Sequence, residues 1–276
     1  MRKRLTSLYH AAVSILLCAV VLLPILYIAQ LSFRSMEDVS KNSLFFKLTL
    51  ENYAQIFSGT VNYLPFTAVL KNSVLVTLIS VSAALMLACL AAYSLSRLRV
   101  KHRMGINYVI LGMRMIPPIA IVVPLYMIWA KLGLYDTLTG LILPFIALDI
   151  PLSTWLLQGF FKGIPENLEE AAAIDGCTRF QAFYRVILPL TAPGIAATSI
   201  FSFSLSWNNL TLPMALTMTD AATMPVLSAQ VKTDDGVLWG QLGAYAVLMI
   251  VPMVIFTACV SRFLVKGMAS GAVVTE

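Results

Sequence analysis

Long apolar runs between widely spaced charges are the feature that most limits what this chain can fold into. Residues 72–96, 186–219 and 236–261 contain no charged side chain. An α-helix rises about 1.5 Å per residue, so about 20 apolar residues cross the hydrocarbon core of a bilayer. Each of these three intervals is therefore long enough to hold a membrane-spanning helix.

The composition of the whole chain agrees with an integral membrane protein. Of its 276 residues, 59% are hydrophobic and 12% are charged, and the mean hydropathy is +0.85. Soluble domains carry roughly 25% charged residues. The sequence predicts an all-α membrane protein with six transmembrane helices in a single domain, residues 1–276. The predicted spans are 11–33, 72–96, 105–130, 137–161, 191–217 and 239–261.

Lysine and arginine are unevenly distributed between the two sides of these spans. With the N-terminus in the cytoplasm, twelve of the nineteen lie in inner segments, six lie in outer segments, and Arg114 lies inside a span. Because positively charged loops stay in the cytoplasm, both termini are predicted to be cytoplasmic. The basic residues form no single patch, which argues against a nucleic-acid partner. Cysteines and histidines lack metal-ligand spacing, so no metal site is predicted.

Residues 164–190 form a polar, helix-prone segment within this apolar chain. Glutamates follow Pro165, where their charge complements the positive end of a helix. Gly176 is suited to ending that helix, and Thr178 with Gln181 has the spacing of a capping box for a second one. The second helix is predicted to have one apolar face, formed by Phe180, Phe183, Tyr184, Ile187 and Leu188. Such a face, exposed to the cytoplasm, requires a partner surface to cover it.

The same segment contains a spaced motif, Glu170-Ala171-Ala172, then Gly176, then Val186, and Leu188-Pro189. It is similar to the cytoplasmic motif of ABC importer permease subunits, with valine where isoleucine is usual. Further similar stretches are "LENY" at 50–53, "KLGLYDTLTGLILPF" at 131–145, "WLLQGFFKGIPENLEEAA" at 155–172 and "VKGMASGAV" at 265–273. The chain resembles the carbohydrate-uptake branch of that family, in particular the shorter inner permease of maltose-type sugar importers.

The resemblance implies a type I ABC importer permease fold in which residues 164–190 are the coupling-helix hairpin. In this family the hairpin is seated in a cleft of an ATP-hydrolysing subunit. Glu170 would pair with a basic group of that subunit, and Gly176 would permit the turn. The residues expected at this contact are Glu170, Ala171, Ala172, Gly176, Leu188 and Pro189.

The resemblance also implies partners in the inner membrane of a bacterium or archaeon. They are a second, longer permease subunit, two copies of an ATP-binding subunit and a solute-binding protein, with membrane lipid around the spans. The chain has no Gly-rich phosphate loop and is therefore not expected to bind ATP. It is predicted to be a transport subunit rather than an enzyme, with no cofactor of its own, and ATP and Mg²⁺ are expected in the partner ATPase subunits. A homodimer of permeases remains an alternative, and the solute is a sugar, polyol or sugar-like anion.

Arg114 and Asp149 interrupt two predicted spans, roughly 13 Å and 18 Å from the cytoplasmic side. Ionisable residues inside a membrane are paired or functional. They could form a structural pair, directly or through water, or they could line a polar pathway in which Arg114 faces an anionic solute. Pro117 and Pro118 remove two backbone donors and predict a kink or break beside Arg114.

Trp207, Asn208 and Asn209 offer the stacking and hydrogen bonding that a sugar requires. The same side chains could instead join helices within the membrane. An ion-coupled secondary transporter subunit is the alternative function. It would be expected to show an internal repeat and more intramembrane carboxylates than Asp149 alone.

Overall fold

A computed structural model describes residues 2–41, 46–58, 64–233 and 236–271, which are mostly helical. The first helices are α1 (Arg2–Ser32), α2 (Met36–Ser40), α3 (Glu51–Ser58), α4 (Phe66–Arg97), α5 (Arg103–Met115), α6 (Pro118–Leu132) and α7 (Leu138–Gly163). They are followed by α8 (Asn167–Ile174), α9 (Arg179–Ala182), a π-helical turn (Phe183–Ile187), α10 (Leu188–Leu190), α11 (Ala192–Trp207), α12 (Thr211–Leu216), α13 (Met224–Ala229) and α14 (Trp239–Gly271). Strands β1 (Lys232–Thr233) and β2 (Gly236–Val237) form an antiparallel pair. The end of the "VKGMASGAV" motif, 272–273, lies outside the described residues.

Within the described ranges, four helical stretches are long and apolar enough to cross a bilayer. They are Tyr9–Ser32, Phe66–Arg97, Leu138–Gly163 and Trp239–Leu264. Two bent pairs pass the same test together, namely α5 with α6 and Arg179–Leu190 with α11. The predicted all-α membrane fold is confirmed, and the spans reach the predicted six when each bent pair is counted as one.

The predicted third stretch, 105–130, is two helices rather than one. Helix α5 ends at Met115, α6 begins at Pro118, and the two axes differ by 85°. Ile116 and Pro117 between them have extended backbones. Proline restricts the residue before it and is tolerated in the first turn of a helix, so α5 stops and α6 starts here. The predicted break at this proline pair is confirmed.

Residues up to Ala68 and Leu227–Val251 form one compact unit. Its short helices α2 and α3 follow α1 in the chain, and 42–45 and 59–63 lie outside the described residues. The buried Asn52 amide donates to the carbonyl oxygens of Ser32 (2.9 Å) and Arg34 (2.8 Å), which ties α3 to the end of α1. Gly243 allows α14 to approach α1 closely, since a Cβ there would lie 2.9 Å from the Ile28 carbonyl oxygen.

Val69–Val226 and the residues from Pro252 onwards form a second unit with two apolar clusters. The first, called the hairpin core, consists of Ala88, Cys89, Ala92, Tyr93, Leu157, Phe161, Phe183 and Ile187. The second, called the cavity core, consists of Val76, Leu141, Phe145, Leu212, Leu216 and Ala221. Helices α4 and α7 contribute to both clusters. The hairpin core therefore attaches residues 164–190 to the same two helices that support the cavity described below.

Candidate functional site

Residues 164–190 fold into a helical hairpin whose turn is built from the predicted residues. Gly176 has φ +83°, in the left-handed region that side-chain-bearing residues rarely adopt. Its N–H donates to the Ala173 carbonyl oxygen at 3.1 Å and helps to close the end of α8. The Thr178 and Gln181 side chains each accept a hydrogen bond from the other's backbone N–H, at 3.3 and 2.8 Å. The predicted capping box is therefore confirmed.

The predicted single apolar face of the hairpin is divided in the structure. Phe183 and Ile187 are buried in the hairpin core, where the Phe183 ring centroid lies 4.6 Å from that of Tyr93. Phe180 and Tyr184 remain 70% and 65% exposed. Helices α4 and α7 thus cover one edge of the predicted apolar face, and the other edge stays exposed.

The six residues predicted at the ATPase contact differ in their exposure. Glu170, Ala171, Gly176 and Pro189 are exposed on the hairpin surface. Ala172 is buried and Leu188 is half-buried against the hairpin core. Ile174, at the end of α8, adds an apolar side chain that is 86% exposed. Four of the predicted residues are therefore accessible to a partner, and Ala172 and Leu188 support the hairpin from inside.

A cavity of about 730 Å³ lies among α5, α6, α7 and the end of α11. Most of its wall is apolar, including residues of the bend between α5 and α6. Its polar side chains include those of Arg114, Asp149, Ser206 and Asn209, and the Trp129 indole forms part of the wall. The Trp129 ring is held by a hydrogen bond from its Nε1 to the Gly140 carbonyl oxygen at 2.6 Å. The cavity thus combines charge, an amide and an aromatic group.

Arg114 and Asp149, both within the described ranges, line this cavity without a nitrogen–oxygen contact of 4.0 Å or less. Arg114 is exposed, and its Nη1 donates to the Leu148 carbonyl oxygen at 3.4 Å. Asp149 is buried, and neither carboxyl oxygen makes a hydrogen bond of good geometry, although the hydroxyls of Ser153 and Ser202 lie beside it. The direct form of the predicted pair is therefore not seen, and a contact through water stays a prediction.

The structure separates the three predicted polar residues near the end of α11. Trp207 is fully buried, and its ring is stacked on Phe203 with 5.7 Å between centroids. Asn208 is exposed and donates to a backbone carbonyl one turn earlier in α11 at 2.9 Å. Asn209 accepts a hydrogen bond from the Leu212 N–H at 3.2 Å and lines the cavity. Of the three, only Asn209 joins the two charged residues there.

Asp136 organises a loop contact that was not predicted. Its Oδ1 accepts from the N–H groups of Met218 (2.9 Å) and Ala221 (3.0 Å), and its Oδ2 accepts from those of Thr219 (3.0 Å) and Asp220 (3.1 Å). Burial alone would raise the pKa of Asp136, but these four hydrogen bonds outweigh it and lower the pKa below its usual value. The carboxylate therefore joins the α6–α7 connection to the segment before α13.

These features define an all-helical membrane transport subunit with an exposed hairpin, and comparison with known proteins gives its family. Residues 84–269 match the family described as "Binding-protein-dependent transport system inner membrane component". The trehalose transport system permease protein SugB of Mycobacterium tuberculosis is 37% identical over 269 residues, covering 96% of this chain and 97% of that protein. The trehalose/maltose transport system permease protein MalG of Thermococcus litoralis is 33% identical over 267 residues, covering 95% of each. The chain belongs to this family of ABC transporter permeases.

A solved structure shares the fold of this chain. It is the crystal structure of a bacterial ABC transporter involved in the import of the acidic polysaccharide alginate. One of its chains matches with a TM-score of 0.73 and 21% identity, covering 95% of this chain and 97% of that one. The predicted type I permease fold is confirmed. The family also decides against the ion-coupled secondary transporter and identifies the chain as an inner membrane component.

Proposed function

We propose that this chain is the permease subunit of an ATP-driven importer for a sugar or sugar-like solute. Two relatives that align over nearly their whole length belong to trehalose and maltose transport systems, which supports this solute class. ATP hydrolysis is assigned to separate subunits, because the sequence has no phosphate-binding loop. Transport then follows from rigid-body movement of the membrane helices, driven from outside this polypeptide.

The exposed surface of the hairpin carries this proposal. We define the docking surface as Glu170, Ile174, Phe180 and Tyr184. Three large apolar side chains stay 65–86% exposed here, and exposed apolar side chains of this size mark a protein interface. The carboxylate of Glu170 is suited to a basic group on the partner, and the small side chain of Ala171 lets a second surface approach closely. The partner assigned to this surface is the ATPase subunit.

The cavity is the proposed solute pathway. Sugar hydroxyl groups are bound by carboxylate, guanidinium and amide groups, while apolar and aromatic side chains contact the sugar ring. The lining of the cavity supplies these groups through Arg114, Asp149, Asn209 and Trp129. Trp207 and Asn208 are left out of this assignment because one is packed in the interior and the other faces away from the cavity. Asp149 lies buried in the cavity wall beside the hydroxyls of Ser153 and Ser202, and we assign it to the polar lining of the pathway.

The assembly proposed around this chain has the composition implied by the sequence. It contains a second, longer permease, two ATPase subunits that bind ATP and Mg²⁺, and a solute-binding protein on the opposite side of the membrane. Both termini and the hairpin face the cytoplasm, in agreement with the distribution of lysine and arginine. Membrane lipid covers the apolar side chains exposed along Tyr9–Ser32.

The test is ATPase activity of the complex, purified in mild detergent and reconstituted with its solute-binding protein. We expect the ATPase subunit to co-purify with this chain and its activity to rise when the binding protein carries a sugar. Neutral sugars, polyols, and phosphorylated or sulfonated analogues are compared as solutes. Absence of a co-purifying ATPase would contradict the proposal. If only anionic solutes stimulate ATP hydrolysis, Arg114 is the residue expected to bind the anionic group of the solute.

Variants of the docking surface sharpen the same experiment. Phe180→Ser and Tyr184→Ser should each weaken binding of the ATPase subunit by at least about tenfold, since aromatic side chains at the centre of an interface contribute about 2 kcal/mol each. Tyr9→Ser, which changes a similarly exposed aromatic residue on α1, is the control and should bind normally. If all three variants bind the ATPase subunit equally well, the ATPase contact does not lie on the docking surface.

A further inference from the structure

One buried guanidinium connects three segments of the chain. Arg97 is the last residue of α4, and its side chain is only 4% exposed. Its Nη2 donates to the carbonyl oxygen of Phe161 at 2.6 Å and also to that of Ile164. Both carbonyls lie at the C-terminal end of α7, where unpaired helix carbonyls attract a positive charge. Arg97 therefore joins the end of α4 to the end of α7.

The other nitrogens of Arg97 face the first helix of the hairpin. Its Nε lies 3.3 Å from Oε1 of Glu169, an ion pair without hydrogen-bond geometry, and its Nη1 lies 3.6 Å from Oε1 of Glu166. Glu169 is 24% exposed and Glu166 is 82% exposed, so the Glu169 contact is the better shielded of the two. The Tyr93 hydroxyl, one turn earlier on α4, donates to Oε2 of Glu169 at 3.3 Å. Glu169 is thus held by two side chains of α4.

Apolar packing alone would hold the hairpin less specifically. The contacts of Phe183 and Ile187 in the hairpin core are non-directional, so they permit the hairpin to slide or roll against α4. Arg97 adds a directional contact, because its Nη2 donates to two carbonyl oxygens at the end of α7 while the rest of its charged group pairs with Glu166 before α8 and with Glu169 within α8. A lysine would keep the positive charge but would lose the planar arrangement of several N–H donors.

We propose that Arg97 is the positioning residue that passes movement of the hairpin to helix α4 during transport. The proposal rests on the proposed function, in which an ATPase subunit docks on the hairpin. When the docked subunit displaces α8, Glu169 and the C-terminal carbonyls of α7 move Arg97, and α4 moves with them. Without this connection the hairpin moves but α4 does not move with it. ATP is then hydrolysed with little solute transport.

The experiment measures solute transported per ATP hydrolysed in proteoliposomes that contain the complete importer. Arg97→Gln and Glu169→Gln should assemble and hydrolyse ATP, with a transport-to-hydrolysis ratio about tenfold lower, within the usual range of allosteric coupling. Arg97→Lys should give an intermediate ratio. Arg99→Gln removes an exposed arginine two residues away and is the control. It should keep the wild-type ratio.

A distance measurement separates positioning from general stability. Spin labels at positions 101 and 173, in a chain without its native cysteines, report the distance between the segment after α4 and helix α8 of the hairpin. ATP binding should leave this distance unchanged with Arg97 present and should change it in Arg97→Gln. If Arg97→Gln fails to assemble, Arg97→Lys and Glu169→Gln decide through the same two readouts.

The outcomes for this inference and for the proposed function are distinct. A wild-type ratio in Arg97→Gln, or in both Arg97→Lys and Glu169→Gln if Arg97→Gln does not assemble, would overturn the positioning role while ATPase docking stands. A wild-type complex from which no ATPase subunit co-purifies would instead overturn the proposed function itself. A ratio that falls equally in Arg99→Gln would also count against Arg97, because loss of any nearby positive charge would then suffice.

Discussion

At the scale of single residues, Asp136 shows how one carboxylate can order a loop. Its four backbone hydrogen bonds favour the ionised form and lower its pKa below the usual 3.8. This contribution to stability is therefore complete above about pH 4 and is lost as the pH falls through the lowered pKa. The positive φ of 54° at Asp136 is tolerated because aspartate adopts this conformation more readily than most residues.

Asp136→Asn should lower the free energy of unfolding by about 1–2 kcal/mol near neutral pH, because the amide offers one acceptor oxygen where the carboxylate offers two. The measurement is thermal unfolding of the detergent-solubilised protein between about pH 3 and pH 7. The difference between wild type and variant should shrink as the pH falls below 4. A difference that is constant with pH would show that the charge of Asp136 is irrelevant.

Gly176 makes a second residue-scale prediction, through its φ of +83°. Gly176→Ala should destabilise the hairpin turn by about 1 kcal/mol, since a Cβ is strained in the left-handed region although the space around it is open. Co-purification of the ATPase subunit and thermal stability are both measured. Gly159→Ala is the matched control, because Gly159 also has open space but lies inside α7. Equal stability of the two variants would show that the turn tolerates a side chain.

At the scale of elements, the break between α5 and α6 shapes the cavity. Ile116 and Pro118 both line it, so the 85° bend forms part of its wall. Transmembrane helices tolerate such breaks where protein or a water-filled space satisfies the freed backbone groups. The π-helical turn at 183–187 lies in the other bent pair, within the segment that enters α11. Both irregular elements thus lie next to the regions assigned to transport.

Replacing both Pro117 and Pro118 by alanine should let α5 continue into α6, because proline disfavours a helix interior by about 3 kcal/mol relative to alanine. Stimulation of ATP hydrolysis by solute should then fall at least about tenfold, while the ATPase subunit still co-purifies through the hairpin. Pro124→Ala, inside α6, is the control and should keep the wild-type stimulation of ATP hydrolysis by solute. Undiminished stimulation in the double variant would show that the bend is not needed for the solute pathway.

At the scale of the whole molecule, the docking surface and the cavity lie in different places because a membrane protein can hold polar groups only in certain regions. The docking surface lies on exposed side chains of the hairpin, while the cavity is lined by residues of four apolar helices. Helices α4 and α7 contribute to both the hairpin core and the cavity core. Because packed helices move as rigid bodies, the proposed function makes these two helices the expected route by which movement of the hairpin reaches the cavity.

Much of this organisation could be predicted from local sequence patterns. Apolar runs of about 20 residues predict membrane helices because every backbone group in lipid must be paired within the segment. Pro117 and Pro118 predicted the break, and Gly176 with the capping box at Thr178 predicted the hairpin. The spaced motif at 170–189 predicted the family. Each of these signals lies within one continuous stretch of the chain, which a sequence displays directly.

The packing of distant segments decided the rest. The carbonyls that bind Arg97 lie 64 and 67 residues away, so a residue interpreted only as a topology signal became the connection to the hairpin. Arg114 and Asp149 share a cavity without a direct contact, and Trp207 is buried in the interior, because helix rotation rather than residue type sets which side chains meet. The exposure of Phe180 and burial of Phe183 likewise depend on where α4 and α7 lie. Local pattern specified the elements, and their contacts determined which residues work together.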